Sequence, residues 1–241
     1  MQTDAKSSVE SQVASPREIA TLLRGDVEVI YAWNARWDAR RFGFQIAVII
    51  LGSGSYGAAM GWWRDPQQAL FTAIKFPLII LLTALGNALI NGMLAPLLGL
   101  NIPFRQSFTA IVMSFTITAA IFGAFSPLIA FVVWNAPPVA GGAAYNFILL
   151  THVAVIALAG TAGNMRLLQL LSKAAASRAV GLRVLLAWLT GNFFLGSQLS
   201  WILRPFIGSP GLPVEFVRQN ALHGNFYEAV LHSLQNIFHV H

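Results

Sequence analysis

The side chains in this sequence that could do chemistry are few, and most stand inside apolar runs. His152 falls within the apolar stretch Tyr145–Leu171. A histidine there can ligate a tetrapyrrole or relay a proton. No second ligand accompanies it, so the sequence favours a structural histidine. Thr83, Asn87 and Asn91 repeat at i, i+4, which sets them on one face of a helix. Asn192, Gly196 and Ser200 repeat that spacing in a later run, with Gln198 nearby. Amides are expensive inside a bilayer and turn towards other helices. The two stripes therefore either line a polar path or bond to each other, each such bond contributing about 0.6–2 kcal/mol. No acidic residue accompanies them, which favours bonding between helices. Lys75 stands just before Pro77, where the apolar core of its run begins. A lysine there is either a coupling charge or a headgroup anchor that snorkels, and the sequence favours the anchor.

Other constellations carry less. His232, Gln235 and His239 share the polar face of a short helix near the carboxyl end, with His241 beyond it. Solvated histidines fit that amphipathic face better than a metal site does, and no cofactor or metal is expected. Gly52-Ser53-Gly54-Ser55-Tyr56-Gly57 matches the dinucleotide-binding glycine pattern. That pattern needs a strand before it and a helix opening at it, whereas here it lies within an apolar run. Ser53, Gly57 and Gly61 instead make a small-residue stripe suited to close helix packing. There is no His-Glu-x-x-His, no acidic pair in an apolar run and no serine with a paired histidine. No enzymatic activity is expected. Glu215 and Glu228 are the only acidic residues after Asp65. That scarcity counts against a cation channel or a proton-driven transporter, which use intramembrane carboxylates. Cysteine is absent, which excludes disulfides and thiolate metal sites.

The elements that must position these residues follow from composition. Of the 241 residues 56% are hydrophobic and 10% charged, with mean hydropathy +0.64. A soluble domain carries about 25% charged residues. The fold class expected is all-α, an integral membrane bundle of about five transmembrane helices with amphipathic helices at both ends. Spans are expected near Phe44–Trp63, Pro77–Leu100, Ser107–Trp134, Tyr145–Leu171 and Val184–Leu203, each near the roughly 20 residues a bilayer requires. Gln67–Phe76 reads as an interfacial lead-in to the second span, and Ser126-Pro127 as a kink in the third. The organisation is then an amino-terminal segment with interfacial helices (1–43), the membrane domain (44–204) and an amphipathic tail (205–241).

At the amino end, residues 1–14 read as disordered. Ser15-Pro16-Arg17-Glu18 reads as a capping box. Asp26–Arg41 reads as an in-plane helix with Ile30, Trp33 and Trp37 on one face. A last helix is expected at about Asn225–Val240. The net charge of +6 argues for orientation against anionic lipid and not for nucleic-acid binding. Arg166, Lys173, Arg178 and Arg183 flank the fourth connection, which should be cytoplasmic; the loop between the third and fourth spans carries no basic residue and should be external. The amino terminus is then inside and the carboxyl tail outside, in the inner membrane of a bacterium. Arg105 agrees with this arrangement, and Arg64 and Lys75 oppose it.

The middle of the chain reads Leu97-Leu98-Gly99, then Phe104, Ser107, Phe108, Ala110-Ile111, Ser114 and Ser126-Pro127. With a polar amino terminus and five spans, it resembles the Yip-domain family of membrane proteins, which interact with Rab GTPases in eukaryotes and have many bacterial relatives. Tyr56-Gly57-Ala58-Ala59-Met60-Gly61 and the segment from Gly196 to Phe206 look like a bacterial membrane-protein family that sometimes carries an actin-binding label. Leu171-Ser172-Lys173-Ala174 is a faint echo of the actin-binding module. Neither resemblance implies catalytic residues. Three functions follow as expectations. The first is a non-enzymatic scaffold or subunit of a larger membrane complex, with lipid, other membrane proteins or further copies of itself as partners. The alternative is small-solute or lipid transport along a polar path between spans two and five. The third is a pigment- or haem-associated subunit using His152.

Overall fold

The computed structural model describes residues 16–137, 142–208 and 212–228. Seven helices run in chain order: α1 (Pro16–Arg24), α2 (Val27–Ala35), α3 (Ala39–Trp62), α4 (Pro66–Leu97), α5 (Phe104–Asn135), α6 (Gly142–Ala174) and α7 (Arg178–Ile202). No strand occurs among the described residues. Five helices, α3 to α7, are long and apolar enough to cross a membrane, so the chain is an all-α, multi-pass membrane protein. Helices α3, α4 and α7 begin before the apolar windows read from sequence because each starts at a capping side chain. Asp65 caps α4 by accepting from the Gln67 N–H at 2.7 Å, with Pro66 in the first turn. Ser177 caps α7 through the Val180 N–H at 3.3 Å. Gly99, at φ +90°, closes α4 in a conformation other residues resist.

Two expectations are corrected at these boundaries. Gln67–Phe76 is not a separate segment before the second span: it is the first part of α4, a single helix of 32 residues, about 48 Å long at 1.5 Å per residue. Asp26–Arg41 is not one helix either. The chain breaks after Ala35, and Asp38 caps α3 by accepting from the Arg40 and Arg41 N–H groups, so both arginines belong to the first span. Pro127 lies within the continuous helix α5. The ring denies the Gly123 carbonyl its usual donor, and the Ser126 hydroxyl supplies one at 2.8 Å.

The helices α4, α5, α6 and α7 close a ring, each packed on the next and α7 back on α4. Helix α3 lies outside the ring and packs on α4 and α5. The polarity is that of a membrane bundle. Gln68, Thr72, Asn87, Asn91, Ser53 and Ser107 are buried, while Leu51, Met93, Leu97, Phe131 and Leu150 are exposed. The small-residue stripe of α3 explains its fit. A Cβ on Gly57 would lie 2.5 Å from the Thr72 carbonyl oxygen, and one on Gly61 would lie 2.5 Å from that of Gln68. Ser53 is buried and bonds back to the Ile49 carbonyl. On the other side of the helix, Gly52 rests on the Ala119 backbone of α5. The dinucleotide-like glycines are therefore spent on two helix contacts.

At one end of the bundle α1 and α2 dock on α5 and α6. Leu22 and Ile30 are buried in the same core as α4, α5 and α7 residues, and Trp37 is exposed. Arg166 of α6 donates to the Leu23 carbonyl at 2.8 Å, and Lys173 pairs with Glu28. Glu18 pairs with Arg41 at 3.6 Å. Burial, outweighing that cation, holds the Glu18 carboxyl above its ordinary range. Of the expected last helix only the start is described, where Asn225 accepts from the Tyr227 and Glu228 N–H groups; His232, Gln235, His239 and His241 lie outside the described residues, as do residues 1–14 and Ser15.

Candidate functional site

The ring encloses a cavity of about 420 Å³, within the range of small-molecule sites. Its wall is largely apolar, with Phe76, Ile79, Phe115 and Phe122 among its members. Polar groups come from all four helices: Thr83 of α4, Ser114 and Thr118 of α5, His152 and Asn164 of α6, Asn192 and Ser200 of α7. Leu149, Val153 and Ile156 of α6 line the cavity and are also exposed, so it reaches the outer surface along α6.

The two polar stripes meet at the side of this cavity. The Asn87 amide donates to Asn192 Oδ1 at 2.6 Å across the α4–α7 contact. Asn91 donates in turn to Asn87 Oδ1. Asn87 and Asn91 are fully buried and do not line the cavity, whereas Thr83, Asn192, Gly196 and Ser200 do. Gly191 faces the pair so closely that a Cβ would lie 2.7 Å from Asn87 Oδ1. One part of the stripe is thus a dry interhelical network and the rest is a cavity wall. Gln198 is half-buried and lines neither.

His152 is 2% exposed, and its Nδ1 lies 2.8 Å from the Tyr56 hydroxyl of α3. Whichever group donates, Nε2 is left without a partner. The Thr83 hydroxyl and Asn91 Oδ1 are likewise buried without partners. Unpaired buried polar atoms cost roughly 1–3 kcal/mol each, and those lining a cavity are places where a guest can bond. No group of three or more His, Cys, Asp or Glu able to hold a metal occurs among the described residues.

Lys75 overturns its expectation. It is 0% exposed and reaches inward, not towards the headgroups. Because α4 begins at Pro66, Lys75 is more than two turns inside the helix. The segment after α7 folds over it. Lys75 Nζ donates to the Pro205 carbonyl at 2.6 Å, and the rings of Phe71, Phe206 and Phe216 lie 5.2–5.9 Å from the ammonium. Gln68 Nε2 donates to the Pro205 and Phe206 carbonyls at 3.0 and 2.8 Å, and Thr72 donates to Phe206 at 2.7 Å. Residues 204–207 are therefore a strap across the first half of α4.

The strap borders a second cavity of about 530 Å³, lined by Tyr145, Arg204, Arg218 and Asn220. Leu149, Phe206 and Ile207 line both cavities, so the two are neighbours with a shared wall. Sequence reasoning missed the His152–Tyr56 bond, Ser114, Thr118, Asn164 and the Arg204–Arg218 pairing. Ser114 and Thr118 did carry a signal, the same i, i+4 spacing that marked the asparagines. The chain matches no protein-family model, no curated protein and no solved structure.

Proposed function

We propose that this is a lipid-handling membrane protein whose central cavity takes the chain of an apolar or amphipathic molecule. This is the second of the two main classes raised by the sequence, chosen over a purely scaffolding role. One observation carries it: beyond the packed core at the α1–α2 end, the four-helix ring holds a cavity, and that cavity opens along α6 towards the lipid. Close packing is the rule in protein interiors, where voids larger than a water are few. The mixed wall suits the purpose, since apolar side chains accept a chain and a few polar groups fix its orientation.

In this reading the membrane is a bacterial inner membrane and the end bearing α1 and α2 is cytoplasmic. Support comes from charge. Among the described residues, Arg17, Arg24, Arg36, Arg40, Arg41, Arg105, Arg166, Lys173, Arg178 and Arg183 belong to that end, and only Arg64, Lys75, Arg204 and Arg218 to the other.

The test is lipid extraction from the purified protein and from Gly160→Leu. Gly160 lines the cavity, and a Cβ there meets nothing within 4 Å, so leucine fills space without a backbone clash. The wild type should retain a stoichiometric lipid that the variant loses while keeping its helical content. Equal lipid content in the two sinks the reading.

A further inference from the structure

The second cavity supplies what the first lacks, a concentration of positive charge. The backbones of Arg204 and Arg218 meet, with the Arg218 backbone N–H donating to the Arg204 carbonyl at 3.4 Å, and both residues line the cavity. The Arg204 guanidinium lies over the Trp201 ring, 3.6 Å from its centre, and donates to the Trp201 carbonyl at 2.8 Å. That single bond leaves most of its five N–H donors free for another acceptor. Burial first, and the charge of Arg218 second, hold this guanidinium below its ordinary range. Lys75 lies directly behind, its ammonium 5.2 Å from the ring of Phe216, two residues before Arg218 in sequence. Against these three cations stands Glu215, 3.9 Å from Arg218. Asn220 adds a neutral donor to the lining. Like charges gathered at a partly buried site favour an anion, and arginine forks match phosphate oxygens in particular.

The position of this basic site decides the kind of anion. It shares Leu149, Phe206 and Ile207 with the apolar cavity, so the two sites are immediate neighbours and a molecule that passes or displaces those side chains occupies both. We propose that Arg204 and Arg218 bind the phosphate of a phosphate-bearing lipid whose hydrocarbon chain occupies the cavity between α4, α5, α6 and α7. This rests on the lipid-handling reading above and adds the chemistry of the headgroup. Phosphate bonds at paired guanidinium groups fix the head, and the apolar cavity takes the chain. A neutral lipid of the same chain length lacks the first contact, and inorganic phosphate lacks the second.

The experiment uses the full chain in detergent, titrated with dioleoyl phosphatidic acid, dioleoylglycerol and inorganic phosphate. Lipid binding is read by native mass spectrometry and phosphate binding by calorimetry. The variants are Arg204→Gln, Arg218→Gln and Gly160→Leu, with circular dichroism to verify folding. Phosphatidic acid should bind at least about tenfold more tightly than dioleoylglycerol, an advantage of about 1.4 kcal/mol. Either arginine variant should erase that preference, and Gly160→Leu should weaken both lipids. If the two lipids bind equally, are both weakened by Gly160→Leu and ignore the arginine variants, the phosphate inference falls and the lipid-handling reading stands. If neither lipid responds to Gly160→Leu, both fall. Arginine-dependent binding of inorganic phosphate at the same strength as phosphatidic acid identifies a free-anion site and overturns the proposal. Should Arg204→Gln unfold, Arg218→Gln decides the question alone.

Discussion

Asn87 is the residue whose removal should be felt most in the α4–α7 contact. It donates to Asn192 at 2.6 Å and accepts from Asn91, and it is fully buried. Asn87→Ala breaks both bonds and leaves two amides without their partner. At about 0.6–2 kcal/mol for each hydrogen bond inside a membrane bundle, the loss is roughly 1–4 kcal/mol. Asn192→Ala breaks only the bond across the helices and should cost less. The two variants and their combination form a cycle, measured by unfolding the protein from mild detergent with sodium dodecyl sulfate. The coupling expected is about 0.6–1.7 kcal/mol, a factor of roughly 3–20 in the unfolding constant. Asn91→Ala, combined with Asn87→Ala, should couple too, because those residues share a bond on one helix face. Additivity of Asn87→Ala and Asn192→Ala within about 0.3–0.5 kcal/mol would refute the bond. So would a larger loss from Asn192→Ala than from Asn87→Ala.

Gly57→Leu should destabilise the protein by about 1–3 kcal/mol or more, since its Cβ would lie 2.5 Å from a backbone oxygen of α4. Gly43→Ala, in open space, is the control, and the same unfolding titration separates them. Lys75→Met should change stability by less than about 1.5 kcal/mol. Methionine keeps the volume and removes an expensive buried charge, while the Pro205 carbonyl retains its bond from Gln68 at 3.0 Å; a loss above 3 kcal/mol shows that the ammonium itself holds the strap. A cysteine placed at exposed Ser177 should react with an impermeant thiol reagent only from the cytoplasmic side, and one at Leu222, 81% exposed, only from outside. The reverse pattern overturns the orientation argued from charge.

The spans were legible because bilayer thickness turns a length of apolar sequence into a structural statement. The facing of Thr83–Asn91 with Asn192–Ser200 was legible for a related reason, because helical spacing tells which residues share a side. Lys75 was not. Its position relative to the apolar core suggested an anchor, but its partner lies 130 residues away, in a segment that reads as irregular from sequence. One local signal was available and would have helped. Asp65-Pro66 is a helix start, with a capping carboxylate before proline, and it places Lys75 well inside α4. The bond from His152 to Tyr56, 96 residues apart, and the cavity beside it have no local signal. A void is a property of how several helices fail to fill a shared space, and no single helix records it.

The ring of four helices has unequal joints. Between α7 and α4 there is the Asn87–Asn192 bond, reinforced by the strap. Between α5 and α6 the Thr118 hydroxyl reaches the Ala159 carbonyl at 3.2 Å. The α4–α5 joint is backed from outside by α3. The remaining joint, between α6 and α7, has neither a side-chain hydrogen bond across it nor a helix behind it among the described residues. A short connection pins those two helices together at the Ser177 end. The ring is therefore tied most firmly at the α1–α2 end and has the fewest ties along the α6–α7 seam towards Arg204. That least-reinforced seam adjoins the exposed α6 residues Leu149, Val153 and Ile156 through which the cavity reaches the outer surface, so the opening and the weakest joint lie together.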